Sequence, residues 1–81
     1  MTEVLIYTTP SCSYCKMTKE FLQENKVYYT EKDVAENEAA ANEMFQRSQQ
    51  MGVPVIFVTK DGKESMIIGF DEEKLKDVLR L

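Results

Sequence analysis

Cys12 and Cys15 stand three positions apart in the stretch Ser11-Cys12-Ser13-Tyr14-Cys15, and they are the only thiols in an 81-residue chain that has no histidine. Histidine is the commonest general base and the commonest metal ligand, so its absence leaves the sulfurs as the groups on which chemistry can rest. Thiols at this spacing can exchange a disulfide with a partner or supply half of a metal site. A closed zinc site needs about four ligands, so the metal reading requires a second chain, in a dimer joined through Cys12. Two inert thiols are the bland alternative.

What the pair can do depends on the elements that hold it. Within Glu3 to Thr8, the run Val4-Leu5-Ile6-Tyr7 is short, uninterrupted and rich in strand formers, which suits a central strand covered on both faces. Thr9-Pro10-Ser11 breaks it. From about Ser13, Tyr14, Met17, Phe21 and Leu22 recur at helical spacing as one apolar face, and Glu24-Asn25-Lys26 closes the helix. Val27 to Asp33 is expected to be a strand partly open to water at a sheet edge. A second amphipathic helix is expected from about Glu36 to Gln50, with Ala40, Ala41, Met44, Phe45 and Ser48 inward.

Val55-Ile56-Phe57-Val58 is another apolar strand, joined through Lys60-Asp61-Gly62-Lys63 to Met66-Ile67-Ile68 as an antiparallel hairpin. Asp71 then caps a last helix whose Leu75, Val78 and Leu79 face inward. Glu72 and Glu73 complement its positive end. The order is strand, helix, strand, helix, strand, strand, helix. It opens on a βαβ unit with parallel strands.

In this frame the two cysteines are unequal. Cys12 lies at a helix start, where free N–H groups and the aligned backbone dipole stabilise a thiolate. Cys15 lies one turn inside, more buried, close enough to close a disulfide without unfolding. Cys12 is therefore the expected nucleophile, and Cys15 the resolving thiol that attacks the Cys12 sulfur once it is tied to a substrate. Pro54 donates nothing to a sheet ladder. If Val53 keeps its N–H and C=O free near Cys12, an extended peptide can pair there.

Composition narrows the partners. The net charge is −4, with acidic residues concentrated between Asp33 and Glu43, which opposes nucleic acid, whose phosphates need a basic stripe. That acidic stretch reads as a solvated helix face. No segment approaches the roughly 20 apolar residues of a membrane span, and the start lacks the pattern of a secretion signal. The expectation is a single cytoplasmic domain over residues 1–81, monomeric, with no nucleic-acid or membrane partner.

Across nearly the whole chain, Tyr7-Thr8, Cys12-Ser13-Tyr14-Cys15, Arg47-Ser48, Gly52-Val53-Pro54 and Gly69-Phe70-Asp71 together resemble the glutaredoxins. The resemblance implies an α/β protein with the thioredoxin fold, βαβαββα, its four-stranded mixed sheet flanked by helices, its last strand antiparallel and its proline cis. It implies a thiol–disulfide oxidoreductase that reduces protein disulfides and glutathione mixed disulfides. Glutathione serves as co-substrate, no metal is obligatory, and the partners are disulfide-containing or glutathionylated proteins. Carried over by position, Tyr14 flanks the bound glutathione, Val53 beside Pro54 pairs with its cysteinyl backbone, and Gly69, Phe70 and Asp71 receive its γ-glutamyl end.

The chain departs from the family's usual pattern at Thr9, where lysine is common, at Ser13, where proline is common, and at Gly52, Ile68 and Glu72. Lys16 and Lys19, on what is expected to be an exposed helix face, read as solvated. Gly69-Phe70 and Thr9 also resemble the glutaredoxin-like hydrogen donors of ribonucleotide reductase, which thioredoxin reductase reduces, although Tyr14 favours glutathione. Ser13 leaves a third alternative, a non-catalytic dimer that binds an iron–sulfur cluster or zinc through Cys12.

Overall fold

The structure is a computed structural model that describes residues 2–50 and 52–80. Its elements follow the expected order: β1 Thr2–Thr8, α1 Ser13–Glu24, β2 Thr30–Asp33, α2 Glu38–Ser48, β3 Val55–Lys60, β4 Lys63–Ile68 and α3 Glu72–Leu79. The strands form one four-stranded sheet in the order β2-β1-β3-β4. β1 and β2 are parallel, pairing Leu5 with Thr30 through Thr8 with Asp33. β3 runs antiparallel to β1 on one side and to β4 on the other.

The pleat of β1 sorts its side chains between two cores. Val4 and Ile6 join Ile56, Val58 and Ile67 under α1 and α3, where Phe21, Leu22, Leu75 and Leu79 complete a buried cluster. On the opposite face Tyr7, Val55 and Phe57 pack with Met44 of α2. A strand covered on both faces needs no polar alternation, which is why the apolar runs of β1 and β3 lie in the middle of the sheet. The β3–β4 hairpin turns at Asp61-Gly62, both at positive φ, the primed geometry that matches strand twist.

Three local expectations are corrected. Tyr14 and Met17 lie outside the core, at 60% and 45% exposure. The buried stripe of α1 is Cys15, Thr18, Phe21 and Leu22, rotated by one residue because Thr18 can be buried: its hydroxyl donates to the Tyr14 carbonyl at 2.8 Å. Next, the second strand starts at Thr30, not at Val27. Lys26 takes a positive φ, its N–H donates to the Gln23 carbonyl, and the Val27 N–H donates to that of Leu22. Val27 thus completes the closing turn of α1.

Finally, α2 begins at Glu38 because Asn37 caps it, accepting from the Ala40 N–H at 3.0 Å. The Asp33 carboxylate meanwhile holds the N–H groups of Ala35 and Glu36 in a turn. In α2 Phe45 stays 44% exposed, and Ala41 only half-buried. No helix among the described residues is long and apolar enough to cross a membrane.

Candidate active site

The site forms where β1 ends and α1 begins. Cys12 is the N-cap of α1, and its sulfur accepts the Cys15 N–H at 3.0 Å. A sulfur in that position faces the free N–H groups of the first turn, which favour negative charge. The Cys12 thiol also lies 3.7 Å from the Val53 carbonyl oxygen, to which it can donate. Residues distant in sequence therefore meet at the sulfur.

Val53 sits outside the sheet because both ladders of β3 stop at Val55, paired with Tyr7 and with Ile68. The Val53–Pro54 bond is cis, and the Pro54 carbonyl accepts the Gly69 N–H at 2.8 Å. That bond joins the cis-proline segment ahead of β3 to the turn before α3. Gly69 has φ of 78°, a conformation that a side chain would strain. Asp71 then caps α3, accepting the Lys74 N–H at 3.0 Å.

Tyr14, Val53, Pro54, Gly69, Phe70 and Asp71 all line one open groove of about 500 Å³, together with Ile68, Glu72 and Glu73. The positions singled out from sequence are thus brought together. Phe70 divides its duty, since its ring is also set edge-on against Phe21 in the core, 6.1 Å between centroids.

Cys15 is set behind Cys12, 1% exposed. Burial first, then the neighbouring Cys12 sulfur, push its thiol up to about 12, while the Thr9 backbone and the Lys19 ammonium oppose that rise. A thiol so raised stays protonated near neutral pH. The arrangement therefore suits a half-buried, accessible sulfur that reacts first and a fully buried one that acts only after its neighbour has become electrophilic. Among the described residues no group of three or more His, Cys, Asp or Glu gathers as metal ligands would.

A second groove, about 370 Å³, is lined by Cys12 together with Thr8, Thr9, Pro10, Lys16, Lys19, Glu31 and Asp33. Here Thr8, buried, donates its hydroxyl to Glu31 Oε2 at 2.6 Å, and Lys19 Nζ donates to the same oxygen at 2.9 Å. The Thr8 hydroxyl and the Lys19 ammonium hold the Glu31 carboxyl below its usual range. Glu31 in turn raises Lys19. Lys19 is therefore half-buried and paired, contrary to the solvated reading. The four-residue spacing of Cys15 and Lys19 on α1 was the available signal, but the partner on β2 was not visible.

The glutaredoxin family model matches residues 4–63. The chain is 36% identical over 76 residues to an uncharacterized glutaredoxin-like 8.6 kDa protein in a rubredoxin operon of Clostridium pasteurianum, across 94% of this chain and 96% of that one. It is 38% identical over 58 residues to glutaredoxin 3 of Escherichia coli, across 72% of this chain and 70% of that one. The crystal structure of a glutaredoxin from Archaeoglobus fulgidus, 31% identical, superposes with a TM-score of 0.78 over 100% of this chain and 89% of the other. The chain therefore belongs to the glutaredoxin family, and its four-stranded sheet with three helices is the thioredoxin fold.

Proposed function

We propose that this protein is a glutathione-linked thiol–disulfide oxidoreductase, with Cys12 as nucleophile and Cys15 as resolving thiol. The Cys12 thiolate attacks a glutathione mixed disulfide, the reduced partner leaves as its thiolate, and glutathione then attacks the Cys12 mixed disulfide to release glutathione disulfide. With a protein disulfide, Cys15 displaces the substrate from Cys12, and two glutathiones reduce the resulting Cys12–Cys15 disulfide. The observation that carries the reading is the Cys12 sulfur capping α1 at 3.0 Å from the Cys15 nitrogen, beside the Val53 carbonyl at 3.7 Å.

In this reading glutathione lies in the groove from Tyr14 to Asp71, with its cysteinyl backbone along Val53 and Pro54. Its γ-glutamyl carboxylate sits at the start of α3 near Gly69 and Phe70, where free N–H groups favour an anion, and its ammonium meets Asp71. The protein works as a cytoplasmic monomer on disulfide-containing or glutathionylated proteins and needs no metal.

The charge of the groove favours a second reading. The charged residues that line it, Asp71, Glu72 and Glu73, are all acidic, whereas glutathione carries two carboxylates and one ammonium. A hydrogen donor to ribonucleotide reductase that is itself reduced by thioredoxin reductase with NADPH avoids that repulsion. One assay separates the two. Reduction of a small glutathione mixed disulfide is followed with glutathione, and reduction of the Cys12–Cys15 disulfide with thioredoxin reductase and NADPH. Turnover in the first arm supports the leading reading; turnover in the second alone replaces it. Silence in both, with intact thiols, refutes both.

A further inference from the structure

We infer that Lys19, pinned by Glu31 and Thr8, is a positioning residue for the resolving step, its ammonium set to favour the thiolate that Cys15 becomes as it attacks. The inference rests on the Cys12 and Cys15 roles proposed above. Cys15 and Lys19 are four residues apart within α1, hence neighbours on one face, and helix side chains lean toward the N-terminus, which carries Lys19 back over Cys15.

Nothing in α1 alone would hold a lysine there, since a long exposed side chain spreads its charge over many rotamers. Here the Nζ is fixed from β2, 2.9 Å from Glu31 Oε2, and that same oxygen takes the Thr8 hydroxyl at 2.6 Å. Thr8 belongs to the central strand that leads into the Cys12 loop. The groove that Lys19, Glu31 and Thr8 line also reaches Cys12, so the pinned charge shares a cleft with the sulfur that Cys15 attacks.

The step is balanced within the protein and its bound substrate. Cys15 loses its proton to solvent, and its sulfur attacks Cys12 Sγ. The bond between Cys12 and the substrate sulfur breaks, the substrate leaves as a thiolate, and the pair is oxidised as the substrate is reduced. Negative charge appears on Cys15 only in this step, which is when a fixed ammonium helps. The opposition of Lys19 to the raised Cys15 thiol has the matching sign. The charged and titratable groups around the two residues are Cys12 and Lys16 on α1, Glu31 and Asp33 on β2, and Tyr29 ahead of β2, while β1 contributes the uncharged Thr8.

The test follows the reduced protein against an excess of a chromogenic aromatic disulfide by stopped flow. A first phase releases one aromatic thiolate as Cys12 attacks; a second releases another as Cys15 closes on Cys12. Lys19→Met is expected to slow the second phase more than the first and to move its ascending pH limb up by roughly half to one unit. The slowing is about two- to threefold, because a more basic thiolate is also the better nucleophile. Lys19→Arg, which keeps the charge, is expected to restore both rate and limb. A second phase in Lys19→Met with the wild-type pH profile and rate overturns the inference while leaving the Cys15 role intact. A wild-type protein without any second phase, or a Cys15→Ser variant that keeps it, overturns the Cys15 role and the inference with it.

Discussion

Replacing Thr8 by valine removes one hydroxyl at nearly constant volume. Thr8 is 2% exposed and its hydroxyl donates to Glu31 at 2.6 Å, so the change deletes a hydrogen bond to a charged acceptor, a class that contributes about 1.5–3 kcal/mol. The Glu31 side chain is 36% exposed and keeps Lys19 at 2.9 Å. Water can replace the lost donor, so the cost is discounted to about 1–2 kcal/mol. For a domain of this size that lowers the melting temperature by roughly 4–16 °C.

The pH dependence has a definite sign. Glu31 is held below the usual carboxylate range, chiefly by Thr8 and then by Lys19. Its contribution is therefore complete above the ordinary glutamate pKa and lost as pH falls through the lower, folded value. Thermal melts of Thr8→Val and wild type should differ by the amount above near pH 7 and by less at an acid pH that protonates Glu31 in the folded protein, since only a neutral hydrogen bond is then at stake. Equal differences at both pH values, or no loss near neutrality, would refute the view that this hydroxyl stabilises an ionised Glu31.

Three further outcomes are expected. Asp71→Asn keeps the α3 cap and removes the charge; under the leading reading it raises the KM for glutathione with kcat nearly unchanged, whereas Asp71→Ala also destabilises the fold by about 1 kcal/mol, measured by urea titration. Leu75→Ala, at a fully buried position under the sheet, costs about 2–5 kcal/mol by the same titration. Cys12→Ala, which removes the α1 cap, is less stable than Cys12→Ser, which restores a good capping oxygen, by up to about 1 kcal/mol in the same titration.

Much of this architecture is legible in the sequence because periodicity and punctuation agree. The apolar runs at Val4 and Val55 become the two central strands, Asp61-Gly62 makes the turn, and Asp71 caps α3. The misplaced positions share a physical cause: a local hydrogen bond overrode the pattern. Thr18 enters the core because its hydroxyl is satisfied within α1, which turns Tyr14 and Met17 outward. Val27 is taken by the end of α1, so β2 starts late.

At the site, adjacency along the chain reveals the cysteine pair and the helix start, but not what crosses from other strands. Val53 could be suspected only through Pro54. The bond from Glu31 to Thr8 and Lys19 depends on the register of β2 beside β1, which no local pattern encodes. Outward-facing Tyr14 fits its place in the groove better than the core position that its spacing suggested.

The most direct test of the account is the mass of each single-cysteine variant after incubation with glutathione disulfide under native conditions. The partly exposed, helix-capping sulfur of Cys12 should make Cys15→Ser gain one glutathione, releasable by excess glutathione, while Cys12→Ser, left with a thiol that burial both shields and keeps protonated, should gain none. Equal labelling of the two variants, or labelling of Cys15 alone, would contradict the division of labour on which the proposed mechanism stands.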